Sequence, residues 1–151
     1  MNTTTLSEIL ARDIKIIRNR WVKLDIRELI PKHKKDFESI EKLKTLDLEE
    51  LKLILPELLE WLQDMNWPIA REIQTILLHF PEDLTPHIRR IFRTSDGEWK
   101  YWILYSLLTD LPKHILIDLK PDLERINNYP TEDEKSSDLK YIVEDLLQRL
   151  E

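Results

Sequence analysis

Apolar residues recur along most of the chain at steps of three and four, the spacing that lines one face of a helix. Leu10, Ile14, Ile17, Trp21 and Leu24 form the first such face. It stops by Pro31, because Pro lacks a backbone donor and restrains the residue before it. A second face, Phe37, Ile40, Leu43 and Leu46, begins near Asp36. Asp47 with Glu50 three positions on predicts a fresh helix start, and Leu48, Leu51, Leu55, Leu58 and Leu62 carry it forward. Pro56 lies inside that run and predicts a kink or a split into two short helices.

The pattern then repeats. Asp64-Met65-Asn66-Trp67 and Asp96-Gly97-Glu98-Trp99 share Asp-x-x-Trp, 32 residues apart. Glu98-Trp99-Lys100-Tyr101-Trp102-Ile103 matches Asp138-Leu139-Lys140-Tyr141-Ile142-Val143 at an offset of 40. Offsets of this size suit a two-helix solenoid unit. Capping signals fit the same division. Asn66 is placed to cap a helix holding Pro68 in its early turn, and Pro81 closes that helix. Thr85-Pro86 opens the next, Ser95 with Glu98 forms a capping box, Pro112 ends that helix, and Thr131 with Glu134 starts the last region. The expected organisation is a single domain over 1–151. N-terminal helices in 1–46 precede helix pairs over 47–80, 83–111 and 113–150. Asn127 to Ser137 reads as the one long loop. The fold expected is all-α: a short right-handed α-α superhelix of HEAT/ARM-like pairs with N-terminal capping helices, stacked because no pair buries its apolar face alone.

Composition strengthens the helical reading and removes several functions. Leu and Ile supply 45 of the 151 residues, whereas Val and Ala supply two each, a mixture poor in strand material. The absence of Cys excludes disulfides, Cys zinc sites and thiol nucleophiles. A single glycine leaves no phosphate-cradling loop. No apolar run is long enough to span a membrane, and Met1-Asn2-Thr3-Thr4-Thr5 lacks the start of a signal peptide, so a cytoplasmic location is expected.

The net charge is −6, divided unevenly. Residues 1–36 carry nine Lys+Arg against five Asp+Glu, and the remainder carries 14 against 24. Arg12, Lys15, Arg18, Arg20, Lys32, Lys34 and Lys35 offer a basic end to a phosphate or an acidic partner. The acidic body has the wrong sign for nucleic acid, and solvated helix faces explain most of these charges.

Three segments together resemble a known family: Pro31-Lys32-His33-Lys34-Lys35-Asp36, Leu58-Leu59-Glu60-Trp61-Leu62-Gln63-Asp64-Met65-Asn66-Trp67-Pro68-Ile69-Ala70, and Glu98-Trp99-Lys100-Tyr101-Trp102-Ile103-Leu104. The chain is similar over about residues 29 to 150 to an uncharacterised bacterial family, the domain of unknown function numbered 5071. The Trp-Leu-Gln-Asp-Met-Asn-Trp-Pro string is the specific part. The resemblance implies a short helical-repeat protein of the HEAT or armadillo kind and no established activity.

The candidate chemistry centres on the tryptophans. Trp67 and Trp99 occupy matching repeat positions, with Asp64, Asn66, Glu98, Lys100 and Trp102 close in sequence. Flat aromatic groups beside polar ones suit a peptide or small-molecule cleft. The competing reading is that Trp fills gaps between stacked helices while Asp and Asn cap them. His33, His79, His87 and His114 lack the spacing of a helical zinc site, and no Ser sits in a nucleophile elbow. No catalytic residue, metal or cofactor is therefore expected. The function expected is non-enzymatic binding of a protein or peptide through Asp64, Asn66, Trp67, Glu98, Trp99, Lys100 and Trp102. An immunity or adaptor role is one concrete version, by analogy with small acidic bacterial proteins alone. The alternative is a small-molecule or enzymatic cleft around the same tryptophans.

Overall fold

The structure is a computed structural model that describes residues 5–7 and 26–151. The predicted face from Leu10 to Leu24, and the basic residues between Arg12 and Lys23, lie outside the described residues. Among the described residues every regular element is helical, and no helix is long and apolar enough to cross a membrane.

A 3₁₀ turn at Ile26–Leu29 buries Ile26. Helix α1 (Phe37–Leu43) starts where expected. Both Asp36 carboxylate oxygens are used: Oδ1 accepts from the Ser39 amide, and Oδ2 accepts from the Ser39 hydroxyl and the Lys32 amide. Hydrogen bonds from the Lys32 backbone and the Ser39 side chain hold the Asp36 carboxyl at about 2. Helix α2 (Leu48–Leu51) begins with the predicted Asp47–Glu50 capping box. A 3₁₀ turn at Lys52–Ile54 then separates it from α3 (Leu55–Glu60), which accepts Pro56 in its first turn. The split expected at Pro56 is thus made, at the position where a missing donor costs nothing.

Helix α4 (Ala70–Leu77) follows, then α5 (Pro81–Phe92). Pro81 does not merely end α4; it is the first residue of α5, so Thr85-Pro86 does not cap this helix as expected. Thr85 is instead buried, and α5 runs through Pro86. The reason is that Pro81 has its φ already set for a helix start, and the apolar face Leu84, Ile88, Ile91 is worth more than the one backbone bond lost at Pro86.

Helix α6 (Gly97–Trp102) is capped by Asp96, not Ser95: Asp96 Oδ1 accepts from the Trp99 amide at 3.0 Å. It leads into a π-helical turn, Ile103–Leu107, and then α7 (Leu108–Asp110). Helices α8 (Lys113–Asp118) and α9 (Lys120–Asn128) come next. The expected loop 127–137 contains a helix, α10 (Glu132–Ser136), started by the predicted Thr131–Glu134 capping box. Helix α11 (Lys140–Gln148) closes the chain and packs on α9.

One continuous core joins these elements, from Ile26 to Leu146, made almost wholly of Leu and Ile. Long-range side-chain hydrogen bonds among the described residues all join positions 28 to 40 apart, from Lys44–Glu72 to Trp99–Leu59. Gln74 meets Ser106 across 32 residues, Arg89 meets Asp122 across 33, and Lys100 meets Asp133 across 33. Several elements are therefore tied to one some thirty residues further on.

Gly97 marks a close approach of α6 to the α10 segment. A Cβ there would overlap the Asp133 carbonyl of α10 and the hydroxyl of Ser137, the residue that ends it. Gly97→Ala is expected to cost about 1–3 kcal/mol, as overpacking against backbone does. Urea unfolding of the two proteins measures it, and an unchanged midpoint would show that α10 does not press on α6.

Candidate functional site

The sequence-predicted residues do not gather into one site. Asp64 organises a turn: its Oδ1 accepts from the Asn66 amide at 2.8 Å and its carbonyl from the Trp67 amide at 3.1 Å. Asn66 itself is exposed and does not cap α4. Trp67 is half-buried and meets Trp61 edge-on, with centroids 5.6 Å apart. Trp102 belongs to a different cluster, where α6 runs into the π-helical turn. Its ring stands edge-on to Tyr101 at 5.0 Å and to Tyr105 at 6.1 Å, while Tyr101 and Tyr105 stack at 5.6 Å. Glu98 is exposed in the first turn of α6.

Lys100 departs most from expectation. It is 0% exposed, and its Nζ donates to Asp133 Oδ2 at 2.8 Å and Glu134 Oε2 at 2.9 Å. Glu134, 1% exposed, also receives both arms of Arg125 at 2.7 Å. Arg125 in turn reaches the Phe92 and Tyr129 carbonyls. Two cations and two carboxylates thus balance, which is what lets a lysine lie inside. Lys100 cannot touch a partner; it fastens α6 to α10 and, through Arg125, to α9 and the end of α5. Neither Asp64 nor Glu98 is among its hydrogen-bond partners.

Burial alone would raise the Glu134 carboxyl. Arg125, the Thr131 amide and Lys100 outweigh that and hold it at about 2, against an ordinary 4.5. Because the folded value is depressed, the stability it confers is complete above about pH 4.5 and is lost as pH falls toward 2.

Trp99 lines one of several open concavities among the described residues. It is half-buried, and its indole Nε1 donates to the Leu59 carbonyl at 3.1 Å, satisfying a group at the end of α3. Around it, α3 and α5 leave an open groove of about 180 Å3. Pro56, Leu59, Ile91 and Trp99 give it an apolar floor. Glu60, Arg90, His87 and Thr94 supply the polar positions. Of these eight residues only Trp99 is a contact that the sequence predicts. His87 stands out in the sequence solely as a candidate metal ligand, and no group of acidic residues and histidines able to hold a metal ion occurs among the described residues. The one sequence signal that pointed here was the matched Asp-x-x-Trp; α3 and α5 meet only in the folded chain.

His87 is the unusual polar member. Its Nδ1 is buried and has no hydrogen-bond partner. Burial, then the nearby Arg90 charge, push its imidazole below the ordinary value, so it is neutral at pH 7.

A model of the family described as domain of unknown function 5071 matches residues 29–147, nearly the whole described body, and the chain belongs to that family. No curated protein matches the chain.

Two outcomes follow from the ion cluster. Lys100→Met is expected to cost roughly 3–5 kcal/mol in urea unfolding, because it strands buried carboxylates. The urea midpoint should drop between pH 5 and pH 2.5, and drop less in Glu134→Gln; equal drops would show that Glu134 is not the group being titrated.

Proposed function

We propose that this member of the family is a non-enzymatic module that binds a protein or peptide partner in the cytoplasm, using the Trp99 groove and the exposed positions beside it. The observation that carries this reading is the shape of the groove. At about 180 Å3 and open to solvent, it is smaller than the ~300–1,000 Å3 typical of pockets that enclose a whole small molecule. It fits one side chain of a larger partner. An apolar floor with a charged rim is also the usual anatomy of an anchoring pocket at a protein interface.

The contact set is narrower than the sequence suggested. Trp99 and Glu98 stay in it, with Asn66 and Trp67 as neighbouring surface; Lys100 leaves it. The recurrent 28-to-40-residue separation of the long-range bonds supports stacked helix pairs of the HEAT or armadillo kind. An immunity or adaptor role remains the concrete version of the proposal, with a basic partner suited to the acidic body.

The apolar lining from Pro56, Leu59, Ile91 and Trp99 favours a second reading, a small-molecule site at the same groove. A pull-down with the full chain separates the two. The wild type should retain a protein partner that Trp99→Ala and the rim variant Arg90→Glu both lose, with unchanged circular dichroism. Equal retention by all three would overturn the proposal.

A further inference from the structure

We infer that the 31–36 loop and the start of α4 form a docking surface for an acidic protein segment, whose carboxylates pair with Lys34, Lys35 and Arg71 and whose apolar side chain rests on Trp67. This surface shares no lining residue with the Trp99 groove.

The fold brings two distant segments together here. The Ile69 amide donates to the Lys34 carbonyl at 3.2 Å, which sets the loop against the turn that leads into α4. Trp67 and Arg71 lie two residues either side of Ile69. The loop is also held from within: the Lys35 amide donates to His33 Nδ1 at 3.3 Å, and the Lys32 amide to Asp36 at 3.0 Å. Asp36 serves Ser39 as well, so the loop's one carboxylate is spent on amide and hydroxyl groups, not on an ammonium. Lys34, Lys35 and Arg71 are exposed, and no carboxylate among the described residues lies within ion-pair reach of any of them. Lys42, Lys44, Lys52 and Lys135, by contrast, each have one within 3.2 Å. One exposed ion pair gains little, but several cations of one sign on a fixed backbone select a partner with several carboxylates. A nucleic acid strand long enough to use all three would continue over a body that carries 14 Lys+Arg against 24 Asp+Glu in residues 37–151. A peptide confines its charge to a few side chains. Trp67, half-buried and braced edge-on by Trp61 at 5.6 Å, adds apolar surface that a peptide side chain can cover.

The probes are two acetylated, amidated peptides, Glu-Glu-Leu-Glu-Glu and its uncharged counterpart Gln-Gln-Leu-Gln-Gln, and a thymidine oligonucleotide of equal charge. Each is titrated into the full-length protein while NMR follows the Trp67 indole N–H and the Lys34 and Lys35 amides. The glutamate peptide should shift all three signals and bind about tenfold or more tightly than the glutamine peptide, with affinity falling as salt rises from about 50 to about 300 mM. Lys35→Glu and Arg71→Gln should each weaken it about threefold or more. Lys113→Glu, which reverses an exposed and unpaired cation on α8, should leave it within about twofold. Equal binding of the glutamine peptide overturns the inference, as does equal or tighter binding of the oligonucleotide at the same signals. So does a loss in Lys113→Glu as large as in Lys35→Glu, or no shift at Trp67, Lys34 and Lys35. The pull-down on Trp99→Ala bears on the groove alone, so the two readings fail separately.

Discussion

A lysine with no exposed surface sets the terms for the C-terminal half of the molecule. Its ammonium must be surrounded by carboxylates, so Asp133 and Glu134 have to arrive at α6 in one register. Glu134 in turn needs Arg125, and the Thr131–Glu134 capping box fixes where its helix begins. Gly97 is the steric counterpart, because the α10 backbone comes too close for any side chain there. Charge and shape demand the same approach. That agreement suggests a specificity role: leucines alone would let α10 slide along α6, and a paired lysine does not.

Locking α6 from behind has a consequence on its other face. Trp99 precedes Lys100, so the helix that turns its lysine inward turns its indole toward α3. There the Nε1–Leu59 bond fixes the ring as one wall of the groove. Most of the groove's wall is helical, and the helix bearing Trp99 is held by the buried ions. Pre-formed pockets of this kind bind without first paying the entropy of ordering a loop.

Much of the architecture was legible in the chain. The steps of three and four, Asp36, the Asp47–Glu50 box, Pro56 and the Thr131–Glu134 box placed several helix starts correctly, because capping is local chemistry within four residues. The failures were non-local. Pro86 read as a helix start because a proline inside a helix is costly, and only the burial of Leu84, Ile88 and Ile91 against distant segments outweighs that cost. The stretch 127–137 read as loop because its charges look solvated. Yet its two central carboxylates are the partners of a lysine 33 and 34 positions earlier. Lys100 reads as a contact residue because it lies beside Trp99 and Trp102 in sequence, which says nothing of its burial. His87 carried no signal as a hydrogen-bonding group, since its isolation is made by α3 and α5 together.

A double-mutant cycle on Lys100→Met and Glu134→Gln measures the central interaction most directly, by urea unfolding of the wild type, both single variants and the double. If the two groups hold α6 and α10 in register, their coupling should be about 1–3 kcal/mol, with the double variant far less damaged than the sum of the singles. Strictly additive losses would contradict it and leave the buried lysine without the role assigned to it.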